Sequence, residues 1–424
     1  MFTQLHTPIG MRGHPPSELK NYRYAEDRLR ENFELWGYEE IRSPTIEFVQ
    51  SLSTGIGSEL VDGMFKFQDS DGKIVALRPE MTAPVARMIS TRMPLILKPV
   101  RLFYICNVFR NTPSRMERLR ELWQAGVEMV GCNTSEADGE ILCLLISSLK
   151  NMGLENVRVD VGHASLLKEL IQTTGLDEGE KVTLKRLLGY RAETRLKQFM
   201  DKNNITSQLK EAFLKLSSCR RLDEVSSISI DSISNGKTEK HLQNLLEVGE
   251  ILSDYGVEEC VYFDFSLTRK IEYYTGIVFE ASVPNLGIPL GGGGRYDNLI
   301  KKFGKIDLPA TGFALGIERC LKALKSQDFD IPEKRKKRIL VSSDFRDVAV
   351  KTVNILRDRG VTALLDVMKT TEEKIVDYGK LVEIDYAVFA GSSLDDPLRV
   401  YDPELSTTKK MSLNKFLESI EVKS

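Results

Sequence analysis

The sequence has no strong excess of one charge, few histidines and no long apolar run. Lys and Arg number 59 against 61 Asp and Glu, a formal net charge of -2, so no global basic field attracts nucleic acid. The most apolar stretch, around Ile141–Leu149, is far shorter than the roughly 18–20 residues of a bilayer span. Since the first residues also lack a charged and apolar leader, we expect a cytoplasmic protein.

Cysteine and histidine patterns argue against two kinds of site. The six cysteines form no CxxC pair and have no histidine partner at zinc-finger spacing. The four histidines belong to no motif that pairs them with a nucleophile or a metal ligand. We therefore expect reduced, buried cysteines, no metal site and no hydrolytic triad.

The remaining composition is that of a globular chain with more than one core. Of its 424 residues, 42% are hydrophobic and 28% are charged. Near the start, Pro15-Pro16-Ser17 predicts the beginning of an amphipathic helix capped by Ser17, and Gly37 predicts its end. A strand at Tyr38–Arg42 follows, and Asp69-Ser70-Asp71-Gly72 is typical of a hairpin turn between two more strands, Met64–Gln68 and Lys73–Leu77.

Two longer predicted strands, Val100–Phe109 and Arg120–Val130, have an informative alternation. Side chains of a strand alternate between its two faces. The second strand then has a polar face and an apolar face, the polar one carrying Arg120, Gln124, Gly126 and Glu128. In the first strand and just after it, Tyr104, Cys106, Val108 and Arg110 share a face. If these strands pair, arginines, an amide and a carboxylate meet above one sheet, which indicates a polar ligand.

The rest of the chain predicts an interrupted sheet followed by a separate α/β domain. After a short strand at Val157–Val161, helical Leu- and Lys-rich sequence runs to about residue 254, and strand-like sequence returns at Cys260–Phe265 and Tyr273–Ala281. Strands then alternate with helices after a charged segment. We predict an α+β fold with a core at 1–325, a helical insertion at about 165–255, a linker at 326–338 and an α/β domain at 339–424.

Four blocks of sequence carry the main functional signal. They are Leu77-Arg78-Pro79-Glu80-Met81-Thr82-Ala83-Pro84; Val108-Phe109-Arg110 with Gln124-Ala125-Gly126-Val127-Glu128; Arg269-Lys270-Ile271-Glu272-Tyr273-Tyr274; and Gly292-Gly293-Gly294-Arg295-Tyr296-Asp297 with Gly312-Phe313-Ala314-Leu315-Gly316-Ile317-Glu318-Arg319. In this order, they resemble the class II histidyl-tRNA synthetase family. The resemblance implies a class II synthetase-like antiparallel sheet core and an anticodon-binding-like C-terminal α/β domain.

The resemblance also implies roles for individual residues. The residues that match the histidine pocket are Glu80, Thr82, Gln124, Glu128, Arg269, Tyr273 and Tyr274. Those that match ATP-binding positions are Arg110, Arg118 and Arg319. Amino-acid adenylation needs cations around the triphosphate, and a carboxylate is a sensible acceptor for an imidazole N–H. In a ligase, Arg269 would be the catalytic residue.

Several departures from the synthetase pattern fall on the nucleotide-handling parts. The motif 2 sequence Arg-x-Glu is replaced by Arg110-Asn111-Thr112, whose threonine is too short to reach the adenine, and Glu117 replaces a loop glycine. Arg-Gly-Leu-Asp-Tyr-Tyr has become Arg269-Lys270-Ile271-Glu272-Tyr273-Tyr274, and Met11-Arg12-Gly13-His14-Pro15-Pro16 lacks the usual acid. The positions that match the histidine pocket keep their chemistry, and this asymmetry is typical of a sensor.

The sequence therefore supports two main interpretations. Stretches such as Arg78–Arg87 and Tyr296–Leu299 resemble the ATP phosphoribosyltransferase regulatory subunits. That interpretation predicts a noncatalytic subunit without a cofactor, which takes histidine as effector and assembles with a short-form catalytic subunit. We expect a homodimer within the hetero-oligomer, formed through Glu40–Ile46 and the preceding helix.

The alternative is a histidine–tRNA ligase that uses ATP and Mg²⁺ and charges tRNA. The substantial segment Ile339–Ser424 favours it, because a regulator has no need of an anticodon reader. Against it, this segment shows no evident basic and aromatic surface for RNA. A third interpretation, a sensor of uncharged tRNA, finds no effector segment in the sequence.

Overall fold

The structure is a computed structural model that describes residues 6–54, 56–93, 98–111, 119–189, 192–226, 237–265, 267, 273–284, 286–332, 336–368 and 371–420. The chain divides into two units, Met1–Ile331 and Pro332–Ser424. Within the described ranges, none of the helices combines the length and the apolarity that a membrane span requires.

The strands of the first unit form two sheets. In chain order they are β1 (Glu39–Glu40), β2 (Ile46–Phe48), β3 (Lys66–Gln68), β4 (Ile74–Leu77), β5 (Val100–Phe109), β6 (Glu121–Val130), β7 (Arg158–His163), β8 (Val261–Phe263), β9 (Ile277–Ser282), β10 (Gly291–Arg295) and β11 (Ala310–Gly316). The larger sheet has the order β1-β5-β6-β11-β10-β9-β7-β8, and the smaller has the order β2-β4-β3. The larger sheet is antiparallel except at its two edges, where β1 pairs with β5 and β7 pairs with β8 in parallel.

The first unit also contains α-helices. They are α1 (Pro16–Leu35), α2 (Val49–Leu52), α3 (Ser58–Asp62), α4 (Thr82–Arg92), α5 (Ser135–Asn151), α6 (Ala164–Gln172), α7 (Glu178–Gly189), α8 (Glu193–Lys202), α9 (Ser207–Ser218), α10 (Leu222–Ser226), α11 (Lys237–Asp254) and α12 (Ile317–Ser326). Helices α6 to α11 lie in sequence between the neighbouring strands β7 and β8. They are therefore an insertion into the connection of a parallel strand pair.

The two faces of the larger sheet belong to different cores. On one face, Phe33 of α1 packs against Phe103 of β5 and Phe313 of β11, with ring centroids 5.4 and 6.1 Å apart. Helices α5 and α12 pack on the same core. On the other face, Tyr104 joins a second core with α4 and residues of the smaller sheet. The face that carries the predicted ligand residues is thus covered by α4 and the segments next to it.

Strand register confirms the predicted alternation. Tyr104 lies opposite Gly126, and Cys106 lies opposite Gln124. The polar face of β6 is closed to solvent at Glu128, which is only 1% exposed, whereas Gln124 on the same face is half-buried. The second core covers this face, and the pattern of one strand could not show that cover.

Three local predictions were wrong. Ser17 does not cap α1, which begins at Pro16 with Pro15 as its N-cap residue. The strand predicted at Tyr273–Ala281 is observed as Ile277–Ser282; before it, Thr275 and Gly276 bond to Arg295 and Ala164 at the ends of the neighbouring strands β10 and β7. The strand predicted at Tyr38–Arg42 is only Glu39–Glu40.

The second unit is a five-stranded sheet with helices on its faces. Its elements are β12 (Arg338–Ser342), α13 (Arg346–Asp358), β13 (Thr362–Leu365), α14 (Glu372–Leu381), β14 (Tyr386–Phe389), β15 (Leu398–Asp402), β16 (Thr407–Met411) and α15 (Leu413–Ile420). Strand order is β13-β12-β14-β15-β16, with the first three parallel and the last two antiparallel. The sequence analysis missed β15, β16 and α15; the side chains of β16 are largely exposed, so that strand lacks a clear apolar pattern.

Candidate functional site

Two glycines leave room for side chains above the sheet. A Cβ at Gly126 of β6 would collide with the hydroxyl of Tyr104, and a Cβ at Gly312 of β11 would collide with Oε2 of Glu128. Gly312 lies opposite Glu128 in the register. The sheet therefore has no side chain at these two positions, and the Glu128 carboxylate lies over the backbone of Gly312.

Glu128 is the most buried carboxylate of this cluster, and its orientation is held from two sides. Its Oε2 accepts a hydrogen bond from the Tyr296 hydroxyl, and its Oε1 accepts one from Thr82 Oγ1 at 3.1 Å. Burial raises the pKa of Glu128 to about 8; the two hydrogen bonds lower it and the nearby Glu80 charge raises it. The Glu128 carboxyl group is therefore fixed in orientation, and its ionised form is receptive to an N–H donor or a cation.

Glu80 lies beside it at the start of α4. Its two carboxylate oxygens accept the backbone N–H groups of Thr82 and Ala83 at 2.6 and 2.9 Å. Burial raises the pKa of Glu80, and these hydrogen bonds and the Arg110 charge lower it. Glu80 thus stabilises the beginning of α4, and each of its oxygens keeps a second lone pair for a ligand.

Four tyrosines enclose the two carboxylates. The Tyr273 ring lies 4.9 Å from that of Tyr274 and 5.6 Å from that of Tyr296, between centroids. Tyr104 is 1% exposed, and burial raises its pKa well above the ordinary value, as does the charge of Glu128. Sequence reasoning gave no role to Tyr104 or Tyr296, although the alternation of β5 already placed Tyr104 on the ligand face.

Arg110 and Arg319 form a second feature of the site. Arg110 Nε donates to the Pro79 carbonyl and Arg319 Nη1 to the Pro289 carbonyl, each at 2.9 Å. Burial lowers the pKa of Arg110, and the charge of Arg319 lowers it further. Among the described residues neither guanidinium has a carboxylate partner within ion-pair distance. Two arginines whose charges influence each other in this way would favour an anion.

Arg120 is a further candidate that the site prediction left out. It continues the polar face of β6, and its carbonyl accepts the N–H of Arg110 across the hairpin. Its Nε is buried without a hydrogen-bond partner among the described residues. A buried guanidinium N–H without an acceptor is costly, so this group would also favour an anionic ligand.

The cluster is anchored by a buried ion pair next to Tyr296. Arg295, at the end of β10, reaches Asp138 of α5 through Nε at 3.0 Å and Nη2 at 2.9 Å. It also donates to the carbonyls of Cys132 and Thr134. Because Arg295 is held in this way, the position of the adjacent Tyr296, and hence of the Glu128 carboxylate, is defined.

The structure brings together most of the predicted site residues that it describes. Glu80, Thr82, Glu128, Tyr273 and Tyr274 lie together in one cluster over the sheet. Gln124 lies further along the same face, between Cys106 and Gly316. Arg269 and Arg118 lie outside the described residues, as do Thr112 and Glu117 of the altered motif 2.

The cluster presents carboxylates at one end and arginines at the other. Buried carboxylates select N–H donors and cationic groups, because an apolar ligand would leave them unpaired. The arginines beside them select an anion. A ligand with an ammonium group, a carboxylate or phosphate and a second N–H donor satisfies both ends.

Comparison with known proteins identifies the family of the chain. The sequence profile of histidyl-tRNA synthetase matches residues 10–320. An ATP phosphoribosyltransferase regulatory subunit from Halothermothrix orenii is 37% identical over 362 residues, covering 85% of this chain and 86% of that protein. A histidine–tRNA ligase from Pyrococcus abyssi is 33% identical and covers 90% of each chain.

Solved structures show the same fold. A Bacillus halodurans protein described as an ATP phosphoribosyltransferase regulatory subunit/histidyl-tRNA synthetase superposes with a TM-score of 0.78 at 28% identity, covering 92% of this chain and 99% of that one. Apo histidyl-tRNA synthetase from S. aureus, at 20% identity and a TM-score of 0.70, supports the fold alone. The predicted α+β class and the predicted family are confirmed. The chain therefore belongs to the class II histidyl-tRNA synthetase-like family, in which regulatory subunits of ATP phosphoribosyltransferase and histidine–tRNA ligases are both its relatives.

Proposed function

We propose that this chain is a noncatalytic regulatory subunit of ATP phosphoribosyltransferase. It binds histidine as effector and assembles with a separate short-form catalytic subunit, so that the first step of histidine biosynthesis is feedback-regulated. Relatives named as regulatory subunits are 31–37% identical across 85–98% of this chain. This function belongs in the cytoplasm, with the other soluble enzymes of amino-acid synthesis.

The observation that carries the proposal is the preserved carboxylate pocket. Glu128 and Glu80 are buried, oriented by hydrogen bonds and surrounded by tyrosines, although motif 2 has lost the acid that reaches adenine in synthetases. A buried carboxylate that did not serve a ligand would be an unnecessary cost to folding. Retention of the amino-acid end together with erosion of the nucleotide end favours sensing over adenylation.

In this proposal the histidine imidazole N–H donates to Glu128, and the contacting pair Tyr273 and Tyr274 helps to enclose the ring. Glu80, Thr82 and Gln124 supply acceptors for the ammonium group, and Arg269 supplies the cation for the carboxylate. No cofactor takes part. Histidine then regulates the enzyme only if it binds one state of the complex better than another, and such couplings are typically about 1–3 kcal/mol.

A homodimer is part of the proposal, and one exposed surface supports it. Ile46, Phe48 and Phe67 are 42–49% exposed on the outward face of the smaller sheet, next to the segment Glu40–Ile46. Phe48 and Phe67 lie on either side of Val75 in the register, so their rings form one continuous apolar patch. Such a patch is typical of a surface that contacts another chain.

Reconstitution with a short-form catalytic subunit tests the function directly. We expect this chain to form a stable complex with that subunit on size-exclusion chromatography, to raise its phosphoribosyltransferase activity and to make that activity sensitive to histidine. The matched control is the same mixture with Glu128→Gln, which should still form the complex but lose inhibition by histidine. A catalytic subunit that neither binds this chain nor changes its activity in its presence would refute the proposal.

The second candidate function is a histidine–tRNA ligase. Its support is the pair Arg110 and Arg319, whose neighbouring positive charges would suit a polyphosphate, and the ligase relatives that cover 90% or more of this chain at 31–33% identity. In a ligase, ATP with Mg²⁺ would supply the activated phosphate, held by Arg110, Arg118 and Arg319. Arg269 would contact the reacting groups, and the second unit would face tRNA.

Histidine-dependent exchange of pyrophosphate into ATP separates the two functions. The regulatory proposal predicts no exchange above that of an Arg319→Ala control. Robust exchange that Arg319→Ala abolishes would establish the ligase instead. A parallel histidine titration by calorimetry shows whether the pocket is occupied in either case.

A further inference from the structure

Arg78 carries a buried charge that the candidate site does not use directly. It is 3% exposed, and among the described residues no carboxylate forms an ion pair with it. Within the described part of the chain, its guanidinium donates to uncharged acceptors alone. Burying an arginine without a carboxylate partner costs folding free energy. Its hydrogen bonds must therefore have a role that an apolar side chain of similar volume could not fill.

The donors of Arg78 join two separate segments. Nε donates to the Asn107 carbonyl at 2.9 Å, and Nη2 donates to Asn107 Oδ1 at 3.2 Å. Nη1 donates to the Ser43 carbonyl at 2.9 Å and to that of Pro44 at 3.4 Å. One planar group thus links strand β5 to the connection between β1 and β2.

The backbone around Arg78 is held by the same two segments. Its N–H donates to the Thr45 carbonyl, and its own carbonyl accepts from Phe109 at the end of β5. The next carbonyl, that of Pro79, accepts from Arg110 Nε. The residue after that is Glu80. This set of hydrogen bonds, the Arg78 clamp, therefore lies within two residues of the Glu80 carboxylate and next to the Pro79 carbonyl that accepts from Arg110.

We propose that Arg78 is a positioning residue for the ligand site. Its guanidinium fixes the segment Arg78–Glu80 between β5 and the β1–β2 connection, and so sets where the Glu80 carboxylate and the Arg110 guanidinium lie, without touching the ligand. The proposal rests on the histidine-binding function. A residue that only stabilised the fold would affect unfolding, whereas a positioning residue also affects affinity, through Glu80.

A double-mutant cycle distinguishes these roles. Histidine binding is measured by calorimetry at a temperature where each variant is fully folded, as shown by its thermal melt, for wild type, Arg78→Met, Glu80→Gln and the double variant. We expect Arg78→Met to weaken binding by about tenfold in the wild-type background and by much less in Glu80→Gln, since residues that act through one another are not additive. The matched control is Arg101→Met, which removes an arginine of β5 that pairs with Glu140.

Each outcome of the mutant cycle has one interpretation. Equal losses in both backgrounds, or wild-type affinity in Arg78→Met, would overturn the positioning role. If Arg78→Met does not fold, Arg78→Lys and Asn107→Ala, which remove only part of the clamp, are compared in the same cycle under the same criterion. Absence of saturable histidine binding by the wild-type protein would instead overturn the proposed function, so the two failures are distinguishable.

Discussion

Replacing Glu128 by Gln tests the central contact of the proposed histidine site. Gln keeps the shape and can still bond to the Tyr296 and Thr82 hydroxyls, which reorient to suit it. It removes the charge that would accept the imidazole N–H. A hydrogen bond to a buried acceptor contributes about 1–3 kcal/mol, so the dissociation constant for histidine should rise about 5- to 150-fold.

The same substitution should change the proton balance of binding. Burial raises the pKa of Glu128 to about 8, so at pH 7 its carboxyl is mostly protonated in the free protein. Histidine that donates to this group favours the carboxylate and expels its proton. Calorimetry in two buffers of different ionisation enthalpy should therefore show proton release approaching one per histidine for the wild type, and none for Glu128→Gln.

A matched variant separates this effect from a general loss of a carboxylate. Glu140→Gln removes an acid of α5 that pairs with Arg101 and does not line the pocket. It should leave both the affinity and the proton release unchanged. Wild-type affinity in Glu128→Gln would refute the assignment of Glu128 to the imidazole, and equal proton release in both proteins would refute Glu128 as the group that titrates.

Three further outcomes are expected. Asp138→Ala removes the buried acid of Arg295 and leaves only Asp297, whose side chain is 35% exposed, so the free energy of unfolding should fall by about 1.5–3 kcal/mol in urea denaturation; a change below about 1 kcal/mol would contradict the buried pair. Because the pKa of Glu128 in the folded chain lies above the ordinary value of 4.5, its contribution to stability is complete below that value and is lost as the pH rises toward 8. The melting temperature of the ligand-free wild type should therefore fall more between pH 5 and pH 8 than that of Glu128→Gln. Parallel curves of melting temperature against pH would exclude Glu128 as the cause. Phe48→Glu with Phe67→Glu should convert a dimer to monomers in sedimentation analysis while Lys66→Glu, on the neighbouring strand position, does not; a dimer that survives the double change would place the interface elsewhere.

Much of the architecture was readable from local pattern. Period-two alternation in β5 and β6 placed Tyr104, Gln124 and Glu128 on one face, and the observed register agrees. Strand, helix and turn signals follow from which side chains repeat at two or at 3.6 residues, and that information is local. Short strands and helix ends were less well predicted, because tertiary hydrogen bonds decide where they stop, as at Thr275 and Gly276.

The sequence by itself determined the family, the α+β class and the set of residue types available to a ligand, because these depend on ordered motifs and periodicity. Only the tertiary structure decided how those residues act. It buried Glu128 under a second core and oriented its carboxyl group through the Tyr296 hydroxyl. It also placed the Glu80 carboxylate where it accepts backbone N–H groups at the start of α4. It also placed Arg78 as a clamp behind the pocket. These relations join residues up to 168 positions apart in the chain, and burial and hydrogen bonding between such distant residues arise only from packing.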